Sequence, residues 1–484
     1  MKNSKNYLSS MLILLFTVLI NGCSTNQEKH PNIVFFLVDD LGYSDVGCYG
    51  SDYYQTPNID KLTEEGMRFT NAYAASCVCS PTRASILSGK YPGRSHITMA
   101  IPIKGYARIK GGEGTPLKDA DYTMNMPLEE ITIAEALKNA GYATASIGKW
   151  HVCEDSAYFP EYQGFDMNVG GSGRGHSANY FYPYDGKWRM AEGHPLIEWN
   201  TLPDGEPGEY LTDRLTEEGL NFMENNKNRP FFLYLSHYAV HTPIQAKENL
   251  ISKYSGIEPD SIKGHVHPKY AAMIESVDQS MEAVVKKLEE LKLTENTIIV
   301  FTSDNGGHGR WTSNYPLRGN KGNFYEGGIR VPLIFKWPGK IASSTISEIP
   351  VISTDFYSTL LDMAGLPLKP EQHKDGVSLW PLLKGSPSLE RDAIYWHFPN
   401  YIGTGHPNPA TPCSVIRSGE WKLIERFESG ECELYNLQLD LAEKNDLADE
   451  MPEKVEELKK MLAKWRKDVN AQMPEVNPDY QQLP

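Results

Sequence analysis

Three aspartates and an asparagine stand close behind apolar runs in this chain. Asp39 and Asp40 follow Asn32 to Val38, and Asp304 and Asn305 follow Thr297 to Thr302. Together they offer only oxygen ligands and three negative charges. Such a set suits a hard divalent cation, Ca2+ or Mg2+, rather than Zn2+, which favours His and Cys. An isolated Asp-Asp more often caps the segment after it; the second acidic pair at an equivalent strand end turns the balance toward a metal. Five further residues add positive or switchable charge: Arg83, Lys149, Lys321, His151 and His241. Each alone reads as solvated surface. Gathered beside a cation they describe an anion pocket for a tetrahedral oxyanion such as sulfate or phosphate.

Gathering them requires a scaffold. The run Asn32 to Val38 is continuously apolar, which predicts a strand buried on both faces of a parallel sheet. Pro57 after Thr56 predicts a short helix through Glu65, stopped at Gly66. Thr132-Ile133-Ala134-Glu135 is a capping box that opens a helix closed by Gly141, and a strand from Ala143 to Ile147 then delivers Lys149 and His151. Pro230 to Ser236 is another buried run and precedes His237 and His241. Met273, Ile274, Val277, Met281, Val284, Leu288 and Leu291 keep helical spacing on one face. Strands alternating with helices predict an α/β domain with a mostly parallel central sheet. Ligands of such sheets bind outside the carboxyl ends of the strands, so Asp39, Asp40, Lys149, His151, His241, Asp304 and Asn305 are expected on one side.

Past about residue 385 the texture changes. Short strand candidates at 393–397, 414–417, 421–425 and 433–435 predict a small antiparallel sheet, and 453–467 a charged helix with Val455, Leu458, Met461, Leu462 and Trp465 on one face. The expected division is a catalytic domain over 32–385 and a smaller C-terminal α+β domain over 386–484.

The 484 residues are 40% hydrophobic and 23% charged, an ordinary composition for a folded domain. Acids outnumber Lys and Arg by 62 to 47, a formal net charge of −15, which argues against a generic nucleic-acid partner. Lys2 and Lys5 precede an apolar run from Tyr7 to Ile20 that reads as the core of a signal peptide. It ends in Ile20-Asn21-Gly22-Cys23, which resembles a bacterial lipoprotein lipobox; simple cleavage and release is the alternative. The resemblance implies a signal peptide at 1–22, a lipidated Cys23, a tether over 23–31 and a membrane anchored by lipid. The compartment implied is the cell envelope of a Gram-negative-type bacterium, with the chain facing the periplasm or the cell surface.

The stretch Cys79-Ser80-Pro81-Thr82-Arg83, continuing Ala84-Ser85-Ile86-Leu87-Ser88-Gly89, resembles the signature of type I sulfatases. Gly148-Lys149-Trp150-His151, His241-Thr242-Pro243, Asp304-Asn305-Gly306 and Lys321 within Gly319 to Gly328 match further blocks of that family in order, from Pro31 to about Ala448. The resemblance implies an alkaline-phosphatase-like fold and Ca2+ held by Asp39, Asp40, Asp304, Asn305 and residue 79. It also implies a maturation partner, a formylglycine-generating or anaerobic sulfatase-maturating enzyme, that oxidises Cys79 to formylglycine (3-oxoalanine). The hydrated aldehyde presents one hydroxyl for attack on sulfur and a second for collapse that expels sulfate. By analogy Arg83 steadies the hydrated form, Lys149 and Lys321 neutralise sulfate oxygens, His151 assists collapse, and His241 protonates the leaving alcohol.

The loop from Gly170 to Tyr184 carries Arg174, His176 and the aromatics Tyr180, Phe181, Tyr182 and Tyr184. It suits sugar binding by hydrogen bonds and ring stacking; aromatics tucked inward under a surface loop are the alternative. With the Thr312 to Arg318 run it resembles the galactosamine-sulfatase and arylsulfatase A branch. Relatives there act on galactose or N-acetylgalactosamine sulfates, or on algal polysaccharides such as carrageenan and ulvan. A sulfated oligo- or polysaccharide is therefore the expected substrate, with Arg174, His176, His308 and Arg318 as specificity contacts. Two other readings stay open: a phosphate mono- or diester hydrolase of the same superfamily, and an inactive lipid-anchored glycan-binding protein. Of seven cysteines, setting aside Cys23 and Cys79 leaves Cys48, Cys77, Cys153, Cys413 and Cys432, so at most two disulfides can form.

Overall fold

The long apolar runs become the middle of one eight-stranded sheet. A computed structural model describes residues 30–102, 114–184, 201–402 and 410–480. Signal peptide, Cys23 and most of the tether lie outside the described residues. No described helix is long and apolar enough to cross a membrane.

The sheet runs in the order Thr345–Ser347, Met67–Phe69, Leu333–Lys336, Thr297–Ser303, Asn32–Val38, Phe231–Ser236, Ala143–Gly148, Met167–Val169. Only Leu333–Lys336 runs against its neighbours. Every residue of Asn32–Val38, Phe231–Ser236, Ala143–Gly148 and Thr297–Ser303 is buried, as strands covered on both faces must be. One face packs on Pro268–Glu290, whose Met273, Ile274, Val277, Met281, Val284 and Leu288 form the predicted stripe. The other face packs on Ile133–Asn139 and Asp355–Met363. The predicted capping box is present: Thr132 Oγ1 accepts from Glu135 N at 3.1 Å, and Glu135 Oε2 accepts from Thr132 N at 2.7 Å.

The register places the site. Val38 pairs with Ser303, Leu37 with Ser236, and Gly148 with Ser236. The residues one step beyond, Asp39, Asp304 and Lys149, therefore leave the sheet together along one edge, with adjacent strands about 4.8 Å apart. Two abrupt turns then redirect the chain. Asp40 has φ +60° and His151 has φ +59°, both left-handed for non-glycine residues, a conformation that costs about 1–3 kcal/mol and is kept only where the surroundings enforce it. A strand continued through Asp40 would send the two aspartates to opposite faces. The turn brings both carboxylates to the same end.

A four-stranded antiparallel sheet, Ile394–Phe398, Cys413–Ser418, Trp421–Arg426 and Cys432–Asn436, follows in the C-terminal part. The helix Pro452–Asp468 buries Leu458, Leu462 and Trp465 in the core this sheet shares with Cys77, Val78 and Phe324. Among the described residues the cysteines Cys48, Cys77, Cys79, Cys153, Cys413 and Cys432 are free thiols. Of the predicted short strands the first is shifted by one residue and the other three are one or two residues longer, while Met67–Phe69 and Leu333–Lys336 had no sequence signal of their own.

Thr132 lies on the covering helix, away from the carboxyl edge of the sheet. Thr132→Ala removes the cap and the hydrogen bond to Gln163 O at 2.7 Å. It should lower the unfolding free energy by about 1 kcal/mol in denaturant titration and leave kcat and KM unchanged.

Candidate active site

The helix Cys79–Ser88 starts on Cys79, and all ten of its residues are buried. Pro81 sits in its first turn, where a missing N–H costs nothing. Arg83 follows Cys79 by four residues and so shares its face. That spacing explains why the cysteine and the arginine reach one place. Cys79 Sγ lies within 4.8 Å of ligand atoms of Asp40 and His241 on one side and of Asp39 and Asp304 on another.

Around it three carboxylates meet three cations, each carboxylate with one short ionic partner. Lys149 Nζ donates to Asp39 Oδ2 at 2.6 Å, Arg83 Nε to Asp304 Oδ2 at 2.8 Å, and Lys321 Nζ lies 2.6 Å from Asp40 Oδ1. Arg83 also donates through Nη1 to Ser236 Oγ at 2.6 Å and to Lys149 O at 2.9 Å, which locks two strand ends to the helix. Lys321 Nζ stands 3.8 Å from Cys79 Sγ. Burial raises the Asp39 carboxyl above the usual carboxylate range, against the pull of Lys149 and with Asp304 and Asp40 adding to the rise. Burial acts on Asp40 in the same direction, but Lys321, His241 and Lys149 outweigh it and hold that carboxyl low. The Cys79 thiol is pushed up to about 12 by burial, although Lys149 and Lys321 oppose the rise.

These residues fit a divalent cation. Asp39 Oδ1 and Asn305 Oδ1 are buried with no hydrogen-bond partner, while Asn305 Nδ2 is already donated to Asp40 Oδ1 at 2.8 Å. Bare buried oxygens are costly unless something positive meets them. The donor set is hard oxygen throughout apart from residue 79. Three acids and three fixed cations balance, so a divalent ion would leave the pocket two charges positive, a state suited to an anion.

The histidines are neutral and oriented. His151 Nε2 lies 2.9 Å from Ile101 O, a carbonyl that can only accept, so Nε2 carries the proton and Nδ1 presents a lone pair. Ile101 N is itself held by Ser80 Oγ at 3.0 Å, which ties this loop to the Cys79 helix. Burial, then Lys149, keeps His151 well below the usual imidazole range. His241 Nδ1 likewise faces Thr242 O at 2.9 Å, leaving Nε2 3.6 Å from Asp40 Oδ2. Burial and Lys321 lower His241, with Asp40 pulling the other way.

Comparison with known proteins decides the family. A family model described as "Sulfatase" matches residues 31–366, and one described as "N-sulphoglucosamine sulphohydrolase, C-terminal" matches 319–471. The chain belongs to the sulfatase family. This sulfatase is 32% identical to a protein named "Sulfatase" from Formosa agariphila, over 91% of this chain and 88% of that one. It is 32% identical to N-acetylgalactosamine-6-sulfatase of Rattus norvegicus, over 77% and 69%. A solved structure of Ps i-CgsB in complex with k-i-k-neocarrahexaose superposes with a TM-score of 0.75 at 30% identity, covering 93% of this chain and 95% of the other. The sulfatase thus has the alkaline-phosphatase-like α/β fold with a smaller antiparallel C-terminal sheet.

All ten expected core positions, Asp39, Asp40, Cys79, Arg83, Lys149, His151, His241, Asp304, Asn305 and Lys321, are tied to this one cluster. His176 joins it, with its ring stacked near parallel on His241 at 6.1 Å. His308 acts electrostatically on Asp40, and buried Arg174 acts on His176. Arg318 goes elsewhere. Its guanidinium lies 3.8 Å from the Tyr325 ring centroid and donates to Tyr435 Oη at 3.0 Å and Glu443 O at 2.8 Å, contacts that face the C-terminal sheet. The aromatics of the Gly170 to Tyr184 loop divide: Tyr180 and Tyr184 are buried, and Tyr180 Oη donates to Tyr238 O and His241 O, so it braces the His241 loop.

Ser236, Ile101 and Gly175 were not foreseen. A Cβ on Gly175 would stand 2.6 Å from His151 Cε1 and 2.8 Å from Nε2. Gly175→Ala should therefore displace the imidazole and lower kcat/KM for an aryl sulfate roughly tenfold or more. The melting temperature should move little, since the loop lies over the pocket. Unchanged kinetics would show that His151 tolerates a shift.

Proposed function

We propose that this sulfatase removes sulfate from a sulfated carbohydrate of the galactose or N-acetylgalactosamine type, or from an algal polysaccharide such as carrageenan or ulvan, using formylglycine at position 79 and Ca2+. The observation that carries this reading is the buried three-to-three matching of carboxylates and cations around Cys79, with Asp39 Oδ1 and Asn305 Oδ1 left bare. A thiol held near 12 is a poor nucleophile at neutral pH, which supports conversion of Cys79 by a maturation enzyme. Formylglycine, if formed at position 79, would supply the hydrate of an aldehyde as an oxygen nucleophile. Asp39, Asp40, Asp304 and Asn305 would hold the Ca2+, which supplies Lewis-acid polarisation.

The chain's own groups do the rest. Lys149 and Lys321, paired to Asp39 and Asp40, neutralise charge on the sulfate oxygens. Arg83 is fully enclosed and bonded to Asp304 and Ser236, so it holds the site's shape and orients residue 79 rather than meeting substrate. His151, with Nε2–H fixed on Ile101 O, offers Nδ1 as a proton acceptor. His241 faces the pocket through Nε2, which in the neutral ring carries a lone pair because Nδ1–H is held on Thr242 O; it would have to take up a proton before passing one to the leaving oxygen. His176, Arg174 and His308 form the rim where a sugar would be read. The carbohydrate class is supported by the likeness to the rat N-acetylgalactosamine-6-sulfatase and to the protein of the neocarrahexaose complex. A lipidated Cys23 in a bacterial cell envelope completes the reading and rests on the N-terminal sequence.

Intact-mass analysis of enzyme co-expressed with a maturation enzyme should show formylglycine at position 79, absent from Cys79→Ala, and only the converted form should release sulfate from a panel of sulfated mono- and oligosaccharides. Sulfate release by an unconverted chain, or faster cleavage of phosphate esters, would defeat the proposal. Chelation should also destabilise the protein. Removing Ca2+ with EDTA should lower the melting temperature, and Ca2+ at a thousandfold excess over its Kd should restore about 4 kcal/mol.

A further inference from the structure

Lys321 differs from the other two cations in how it is held. Lys149 directly follows a strand and Arg83 lies within a helix, whereas Lys321 sits in a loop between Arg318 and the short helix Glu326–Ile329. Both ends of that loop are gripped by a single residue of the C-terminal part. Glu443 O accepts from Arg318 Nη1 at 2.8 Å, and Glu443 Oε2 accepts from the Glu326 backbone N–H at 2.7 Å. Lys422 Nζ, on the strand Trp421–Arg426, closes the arrangement by bridging Glu326 Oε1 at 2.9 Å and Glu443 Oε1 at 2.8 Å. Glu326, Lys422 and Glu443 are all completely buried, and Glu443 adopts a left-handed φ of +51°. A buried carboxylate in that conformation is kept only where its surroundings over-determine it.

The grip is transmitted to the site through short backbone bonds. Gly327 N donates to Arg318 O at 2.8 Å, pinching the loop closed, and Gly306 N donates to Gly328 O at 2.9 Å, joining it to the Asp304-Asn305 turn. Lys321 N donates to Gly307 O and Gly322 N to Cys77 O, each at 3.0 Å. There is no slack for a side chain at these joints: a Cβ on Gly306, Gly327 or Gly328 would stand 1.9, 2.2 or 1.9 Å from a carbonyl oxygen. A shift at Glu443 thus moves the frame from which Lys321 reaches Asp40 and the space above Cys79.

We propose that Glu443 is a positioning residue for Lys321, so that the C-terminal subdomain sets the charge that meets the sulfate group. This rests on the reading of Lys321 as a sulfate contact, and the test separates the two. The full-length, metal-loaded enzyme would be compared with Glu443→Ala, Glu443→Gln, Lys321→Ala and the Lys321→Ala/Glu443→Ala double variant. The readouts are KM and kcat for 4-nitrophenyl sulfate, Ki for inorganic sulfate and the melting temperature. Glu443→Ala should raise KM and the sulfate Ki roughly tenfold or more. Glu443→Gln, which keeps an acceptor for the Glu326 N–H, should recover part of that loss. In the Lys321→Ala background Glu443→Ala should add less than about twofold, because residues acting through one another are non-additive. Equal losses with and without Lys321, or a lower melting temperature with KM and Ki unchanged, would overturn the positioning role while leaving the Lys321 reading intact. If Lys321→Ala itself left KM and Ki unchanged, both would fall. Should Glu443→Ala not fold, Glu443→Asp, which keeps the charge facing Lys422 but is too short for the Glu326 N–H, is held to the same outcomes.

Discussion

Everything in this protein is arranged around the burial of three carboxylates at one end of a sheet. Asp39, Asp40 and Asp304 are enclosed, and enclosing even one unpaired ion costs several kcal/mol. Each has one short ionic partner, Lys149 for Asp39, Lys321 for Asp40 and Arg83 for Asp304, and Arg83 also reaches Asp39 Oδ1 at 3.8 Å. Removing either partner of such a pair typically costs about 3–5 kcal/mol, because the survivor is left charged and dry. Close matching of this kind is poor economy for stability alone, since apolar side chains of the same volume would serve as well. It makes sense where the charges have to be used.

The parallel sheet is what makes the arrangement feasible. In-register strands bring Asp39, Asp304 and Lys149 out side by side without any loop having to be steered there. The covering helices Pro268–Glu290 and Asp355–Met363 contribute apolar mass on either face and leave the carboxyl edge open. Two of the left-handed non-glycine residues, Asp40 and His151, stand where the chain leaves the sheet. The Cys79 helix then plugs the opening from the side, with Arg83 bonded simultaneously to a turn, a strand end and a loop. Asp39, Asp304 and Lys149 are held at strand ends and Arg83 within a helix, while Lys321, His241, His176, Arg174 and His308 lie on loops.

How much of this could be read from the sequence follows the same physics. Buried parallel strands announce themselves as unbroken apolar runs, so the polar residues just beyond them were legible as a set, and the capping box at Thr132 was legible because its partners are three residues apart. Short strands such as Met67–Phe69 were not, because three residues carry no periodicity. Arg318 misled because an exposed arginine in a polar loop looks the same whether it meets a sugar or a neighbouring subdomain; only tertiary structure shows it stacked on Tyr325. The loop tyrosines misled in part for a similar reason, since Tyr180 is amphipathic and spends its hydroxyl on two carbonyls under the His241 loop. His237 and His241 differ by four positions in one stretch, yet His237 faces Ser280 in the core at 2.9 Å while His241 reaches the site. Ser236, Gly175 and Glu443 act on residues far away in the chain, and nothing local marks them.

The position of Lys321 also explains why the antiparallel sheet is attached at all. A cation on a strand end or a helix inherits that element's rigidity, but a cation on a loop must have its rigidity supplied from outside. The catalytic domain provides some through Gly307 and Cys77, whose carbonyls hold the middle of the loop. At its ends the hold is shared: Tyr73 Oη and Arg330 Nη1 of the catalytic domain donate to Glu326 Oε2 at 2.7 and 3.2 Å, while Arg318 and Glu326 also face the strands Trp421–Arg426 and Cys432–Asn436. Tyr325 is flanked there by Arg318 and Arg426 and donates to Glu433 Oε2 at 2.7 Å. The C-terminal subdomain is therefore the missing wall of the active site, even though none of its described side chains belongs to the carboxylate and cation cluster itself. Its core is shared with Cys77 and Val78, the residues immediately before the Cys79 helix, so the same wall supports that helix on one side and the loop of Lys321 on the other. A displacement of that wall would act on both at once, which is why the two families of contact, apolar behind Cys79 and ionic behind Lys321, are packed into one seam.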